Sequence, residues 1–156
     1  MTKAEGIWVI GHQIQPINSS GNYDIFFGET PCGVPGPPPH YHSKYSEFVL
    51  VLKGQMEFII DGEKRLLQEG DSIDLPVNSV HTFNNPTTDT SRWLNIHSPK
   101  GFFSFFKRFG VPIKQENSFE SSVSGSMIDK VVKEAAGFDM IIVEAGNQEP
   151  EKYAVL

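Results

Sequence analysis

The chain has 156 residues, 38% of them apolar and 21% charged, which is enough apolar side chain for one folded domain with its own core and too little charge for a disordered segment. Its 19 acidic residues against 13 lysines and arginines give a formal net charge of −6, which argues against generic binding to nucleic acid or to an anionic membrane. The single cysteine, Cys32, leaves no intrachain disulfide; with no basic-then-apolar leader in Met1 to Gly6 and no apolar run approaching the roughly 20 residues of a membrane span, the reading is a cytoplasmic protein.

The first 98 residues read as short strands and tight turns. Ile7 to Ile10 is an apolar run closed by Gly11, and Tyr23 to Phe27 is a second, with the turn-rich segment Pro16 to Asn22 between them. Pro31-Cys32-Gly33-Val34-Pro35-Gly36-Pro37-Pro38-Pro39 cannot be helical, because proline lacks an amide donor and clashes with the preceding turn, so this run is an extended, stiff approach to the segment beyond Pro39. Cys32 within it reads as a small buried or half-buried side chain. Glu47 to Leu52 and Met56 to Ile60 are strands, Asp61-Gly62 is a two-residue hairpin turn, and Arg65 to Leu67 returns. Gly70-Asp71 turns again before Ser72-Ile73-Asp74-Leu75, and Val80 to Phe83 and Trp93 to Ile96 complete the set. Many short strands separated by frequent turns predict an all-β sandwich or small barrel over residues 7–98.

The pattern then changes. Phe102, Phe105, Phe106 and Phe109 recur at helical spacing, with Phe103 widening the stripe. Ser98 is placed to cap this helix, Pro99 to occupy its first turn, and Gly110 and Pro112 to stop it. Lys114 to Gly125 reads as loop. Ile128, Val131, Val132 and Ala135 predict a second amphipathic helix with Gly137 as its left-handed cap, and Met140 to Val143 a short strand or docking segment. Residues 99–145 are thus a helical extension packed on the barrel, and 146–156 a flexible tail.

The chemistry concentrates in His40-Tyr41-His42-Ser43-Lys44-Tyr45-Ser46-Glu47. Residues i and i+2 of a strand share a face, so His40 and His42 project side by side. A turn of a few residues can return Glu47 on the neighbouring strand, and His81 arrives on another. Three imidazoles and one carboxylate suit a first-row divalent ion, and such an ion would keep positions open for water or substrate, as a catalytic metal requires. On the same strands Val49 and Val51 share the face of Glu47, and Phe83 shares that of His81, which makes these three candidate walls of a pocket. For Trp93 to His97, inward-facing Leu94 and Ile96 would put His97 on the surface. His12 lies outside the cluster and receives no role.

These residues resemble the cupin superfamily. Its first motif, G-x5-H-x-H-x3-4-E-x6-G, is met from the first histidine onward by His40, His42, Glu47 and Gly54, although the leading glycine is displaced to Gly33 or Gly36. Its second, G-x5-P-x-G-x2-H-x3-N, is met by Gly70, Pro76, His81 and Asn85, with Asn78 in place of the turn glycine. Asparagine is the side chain that best tolerates the same left-handed backbone. A narrower likeness runs from Ile7 to about Val143: Pro-Gly-Pro-Pro-Pro-His-Tyr-His, the hairpin from Glu57 to Glu63, and Ser98-Pro99-Lys100-Gly101-Phe102-x2-Phe105-Phe106 look like the small single-domain bacterial cupins grouped as quercetin dioxygenase-like.

The resemblance implies a double-stranded β-helix, or jelly-roll, barrel with short C-terminal helices. It implies one divalent transition metal ion per chain (Fe, Mn, Ni, Cu, Co or Zn) held by His40, His42, Glu47 and His81. The implied activity is dioxygenase-like and acts on a small, largely apolar or aromatic substrate, with Glu47 either completing the metal's shell or leaving it to serve as base toward a substrate hydroxyl. Two other readings stay open: a metal-dependent isomerase or lyase acting on a small polar molecule, and a non-catalytic small-ligand-binding barrel. The few basic residues near the motifs lean toward an apolar ligand. The resemblance also implies a homodimer, and the apolar Ile7-Trp8-Val9-Ile10 run would be a poor exposed edge.

Overall fold

The computed structural model of the chain describes residues 5–143, so the expected tail at 146–156 falls outside the described residues. Among the described residues twelve strands run in chain order: β1 Ile7–Val9, β2 His12–Ile17, β3 Asp24–Thr30, β4 His40–Tyr41, β5 Ser46–Lys53, β6 Gln55–Ile60, β7 Glu63–Gln68, β8 Ser72–Leu75, β9 His81–Asn84, β10 Ser91–Ser98, β11 Val111–Pro112 and β12 Ile141–Ile142. They form two antiparallel sheets, one of seven strands in the order β11-β1-β2-β3-β10-β5-β8 and one of five in the order β12-β4-β9-β6-β7. Side chains from both sheets, including Ile14, Phe26, Val49, Met56, Phe58 and Leu75, fill the core between them. This is the jelly-roll architecture the sequence predicts.

The turn chemistry sets the register. Asp61 (φ 47) and Gly62 (φ 86) are both left-handed, the pair of angles a two-residue hairpin needs, and Ile60 opposes Glu63 across it. Asn78, at φ 65, adopts the conformation expected of the glycine it replaces. Gly28 on β3 is bare for another reason: a Cβ there would lie 2.2 Å from the Trp93 ring, so its absence is what lets Trp93 point inward from β10.

The phenylalanine stripe forms helix α1, Phe103–Phe109, and buries Phe105, Phe106 and Phe109 against the barrel beside Phe102. Its start differs from expectation. Ser98 is consumed as the last residue of β10 and caps nothing. The Asp24 carboxylate instead accepts from the Gly101 and Phe103 amides, tying the helix start to β3. The segment expected to be loop contains a short helix, α2, Ser118–Ser122. Helix α3, Gly125–Glu134, comes next, with Ser124 Oγ accepting from the Met127 amide as its cap. Val131 is its buried residue, followed by buried Ala135 just past its end, whereas Ile128 and Val132 are exposed. A 3-10 turn over Ala135–Phe138 ends the helical segment, and the left-handed residue is Asp139 (φ 61), in place of the expected Gly137.

Two further expectations change. Cys32 is exposed. Strand β1 is flanked on one side by β2 and on the other by β11 of its own chain, so the edge that argued for a second copy is already paired. Among the described residues no helix is long and apolar enough to cross a membrane.

Phe109 is 0% exposed, so Phe109→Ala should destabilise the fold by about 3–5 kcal/mol. Urea denaturation checks this; a loss below about 1 kcal/mol would mean that α1 is not part of the cooperative core.

Candidate metal centre

Strand pairing brings the histidines together. His40 on β4 lies directly opposite His81 on β9, and their ring centroids are 4.4 Å apart. His42 stands two residues later, its ring 5.1 Å from that of His40. Glu47 enters from β5 in the other sheet, on the buried face it shares with Val49 and Val51. One ligand atom from each of His40, His42, Glu47 and His81 lies within 4.8 Å of all the others, and all four residues are buried.

The rings are aimed by the backbone. His40 Nδ1 meets the Pro38 carbonyl at 2.9 Å, His42 Nδ1 the Asp139 carbonyl at 2.6 Å, and His81 Nδ1 the Ser79 carbonyl at 3.0 Å. A carbonyl only accepts, so each Nδ1 carries a hydrogen, and in the neutral ring Nε2 keeps its lone pair. Glu47 Oε1 lies 2.8 Å from His42 Nε2 and 3.1 Å from His81 Nε2. With both rings neutral, these are lone pairs facing a carboxylate, an arrangement that only a proton or a cation between them can stabilise. The donor set and the outer hydrogen bonds therefore fit a divalent transition metal. Burial favours the neutral form of His40, and with His81 and His42 nearby its pKa sits well below the ordinary value. Burial would raise Glu47, yet the surrounding His97, His42 and His81 hold its carboxyl well below the ordinary range. Burial also opposes charge on His81, but contact with Glu47 outweighs it and raises that pKa.

Residues beyond the motifs shape the site. Asn95 Nδ2 donates to Glu47 Oε2 at 2.8 Å, and His97 Nε2 lies 3.4 Å from the same oxygen. The Glu47 carboxylate is thus tethered through Oε2 and presents Oε1 to the imidazoles. His97 is 3% exposed, and the parity that the sequence leaves open is resolved: Trp93, Asn95 and His97 face in, while Leu94 and Ile96 lie half-buried on the outer face. The apolar outer face, where Phe27 and Phe48 are also exposed, hides this parity from a reading by hydrophobicity. The Phe102 ring stacks on His97 at 4.1 Å. Asp139 accepts from the Ser43 and Lys44 amides through its carboxylate, fixing the turn after His42.

A cavity adjoins the four ligands. Phe83 and Val49 line it, together with Ile14, Phe58, Trp93 and Phe106. Val51 is buried in the core and outside this lining. His12, given no role by the sequence, also lines the cavity and is 4% exposed, with Nδ1 3.1 Å from Thr30 Oγ1. A lone histidine on a strand of mixed polarity, His-Gln-Ile-Gln-Pro-Ile, carries no spacing signal that could have revealed this.

Residues 28–97 match the Cupin domain family. An uncharacterized protein of Aquifex aeolicus (strain VF5) is 43% identical over 61 residues, covering 39% of this chain and 50% of that one. Quercetin 2,3-dioxygenase of Bacillus subtilis (strain 168) is 25% identical over 127 residues, 81% of this chain and 37% of the other. The chain thus spans half or less of the length of these curated relatives. The structure of KdgF from Halomonas sp. superposes with a TM-score of 0.54 at 24% identity, covering 58% of this chain and 81% of that one.

Burial pushes the His12 imidazole down from 6.5 to about 4. The unfolded chain therefore binds this proton near pH 6.5, before the folded one does. The stability tied to neutral His12 is complete above pH 6.5, falls by about 3 kcal/mol as the pH drops toward about 4, and levels off below. His12→Gln should flatten that fall in thermal melts across this range; an unchanged slope would place its origin elsewhere. Asn95→Ala should weaken binding of Ni2+ by about 10–100-fold, read by competition with a chromophoric chelator; unaltered affinity would mean that Glu47 needs no tether.

Proposed function

Since the chain is a small protein of the cupin superfamily, we propose that it is a metal-dependent oxidoreductase, dioxygenase-like and related to quercetinases, acting on a small, largely apolar or aromatic substrate. The observation that carries this reading is the convergence of His40, His42, Glu47 and His81 beside a cavity whose walls are otherwise mostly apolar. The alignment with quercetin 2,3-dioxygenase supports it over most of this chain. The cavity walls, with Phe58, Phe83, Trp93 and Phe106 among them, favour an aromatic ligand over a polar one such as an isomerase would take.

The three histidines and Glu47 would hold one divalent transition metal ion. When bound, such an ion supplies Lewis acidity toward a substrate hydroxyl and the electron chemistry that O2 requires. The chain's own residues do the rest. The Pro38, Asp139 and Ser79 carbonyls keep three Nε2 atoms pointing at one locus. Asn95 holds Glu47 Oε2, leaving Oε1 as the atom that can ligate or take the proton of a substrate hydroxyl. Phe102 and Phe106 line the cavity on the α1 side, where their rings would disfavour water beside a bound substrate.

Elemental analysis of the purified protein should find about one transition metal ion per chain, reduced to a small fraction in His40→Ala and His81→Ala. The metal-loaded protein should consume O2 in the presence of at least one of a panel of flavonols and small diketones. Unchanged metal content in both variants would remove the site. Bound metal with no oxygen uptake across the panel would overturn the oxygenase reading.

A further inference from the structure

Four buried side-chain atoms among the described residues have no hydrogen-bond partner: His12 Nε2, Asn84 Oδ1, Asn95 Oδ1 and His97 Nδ1. Three of these residues line the cavity. Asn95 and His97 stand beside Glu47, but His12 stands apart, on β2. A buried polar atom left unpaired is costly, and one in a cavity wall marks where a ligand atom can pair with it.

The tautomer of His12 is set by its neighbours. Trp93 Nε1 can only donate, and it meets Thr30 Oγ1 at 3.0 Å. Thr30 is 0% exposed, so its own hydroxyl hydrogen needs a protein acceptor, and His12 Nδ1 is 3.1 Å away. The chain Trp93 Nε1–H to Thr30 Oγ1–H to His12 Nδ1 leaves the ring hydrogen on Nε2. The Pro35 carbonyl is close enough to favour a hydrogen on the ring, but its geometry does not meet that of a hydrogen bond to Nε2.

Position supports a ligand role. His81 and Phe83 lie on the same side of β9, about 7 Å apart along the strand. The His12 ring sits 5.2 Å from that of Phe83. A metal ligand, an aromatic wall and a lone donor therefore succeed one another along the cavity.

We propose that His12 is a specificity-determining residue: its Nε2–H donates to an oxygen acceptor, a carbonyl in preference to a carboxylate, at the end of an aromatic ligand remote from the metal centre. The inference rests on the cavity being an aromatic-ligand site. A neutral donor in a buried, mostly apolar wall pairs with a neutral oxygen without leaving a buried charge. The ligand class is thus a planar ring with a hydroxyl toward the His40, His42 and His81 end and a carbonyl oxygen opposite it.

Two probes of similar shape test this on the full chain, with and without Zn2+: 4-hydroxyacetophenone, which carries the carbonyl, and 4-ethylphenol, which lacks it. By calorimetry the wild type should bind the first at least about tenfold more tightly. His12→Phe should bind both alike, at the affinity of 4-ethylphenol, and His12→Gln, which keeps a donor near the same place, should restore part of the difference. In histidine-labelled protein the His12 Nε2–H resonance should move downfield with 4-hydroxyacetophenone and stay with 4-ethylphenol. If both probes bind and the preference is the same in His12→Phe and His12→Gln as in wild type, or if that resonance ignores both, the role of His12 is overturned while the aromatic-ligand reading stands. If neither probe binds wild type, the aromatic-ligand reading falls and takes the inference with it.

Discussion

The candidate centre depends on three hydrogen bonds made on the side of the imidazoles away from it. Each runs from Nδ1 to a main-chain carbonyl: Pro38 for His40, Asp139 for His42 and Ser79 for His81. They decide which nitrogen is free and where it points, and so turn three nearby rings into one coordination locus. The local backbone explains why those carbonyls are available. The proline-rich run has few amides with which to form a ladder, so Pro37 and Pro38 offer their oxygens to Thr82 and His40. The Ser79 carbonyl sits in the turn that left-handed Asn78 makes possible. The Asp139 carbonyl is presented by a residue whose backbone is itself left-handed.

The locus gives the barrel interior a polarity. At one end, Glu47 has its two oxygens assigned to different tasks: Oε2 accepts from Asn95, and Oε1 faces His42 and His81. Beyond it, aromatic rings from both sheets and from α1 make the walls. Phe102 joins the two environments, stacked flat on His97 and edge-on to His42. Packing and electrostatics are therefore coupled here, because the helix that seals the core also limits how the outer histidine can turn.

Much of this was legible in the residues. The spacing of His40, His42 and Glu47 and the arrival of His81 on a later strand predicted a cluster, and strand alternation put Glu47, Val49 and Val51 on one face. The turn at Asp61-Gly62, the strand character of most segments and the phenylalanine stripe of α1 were readable because each rests on a local rule. Three kinds of feature were not. His97 and Asn95 were missed because the aliphatic residues of β10, Leu94 and Ile96, lie on its outer face while Asn95 and His97 point inward, so hydrophobicity could not set its parity. The start of α1 moved because Asp24, distant in sequence, supplies what a local cap would have supplied, and the end of the last helical segment moved because a 3-10 turn carries the chain past Gly137 to left-handed Asp139. His12 was invisible because its partner Thr30 and its neighbour Phe83 are assembled only by sheet pairing and by contact across the barrel.

The Asp139 carbonyl leads to one more conclusion. All four candidate ligands lie between residues 40 and 81, inside the stretch 28–97 that matches the Cupin domain. The acceptor that orients His42 comes from well past that boundary. A minimal fragment cut at the domain match, or a transplant of its two motifs into another barrel, would carry every coordinating atom and still leave one ring free to rotate. Because the acceptor belongs to the main chain, exchanging the side chain at 139 cannot delete it; shortening or shifting the segment that delivers it can. The ligand set and the smallest unit able to aim it therefore have different limits along this polypeptide.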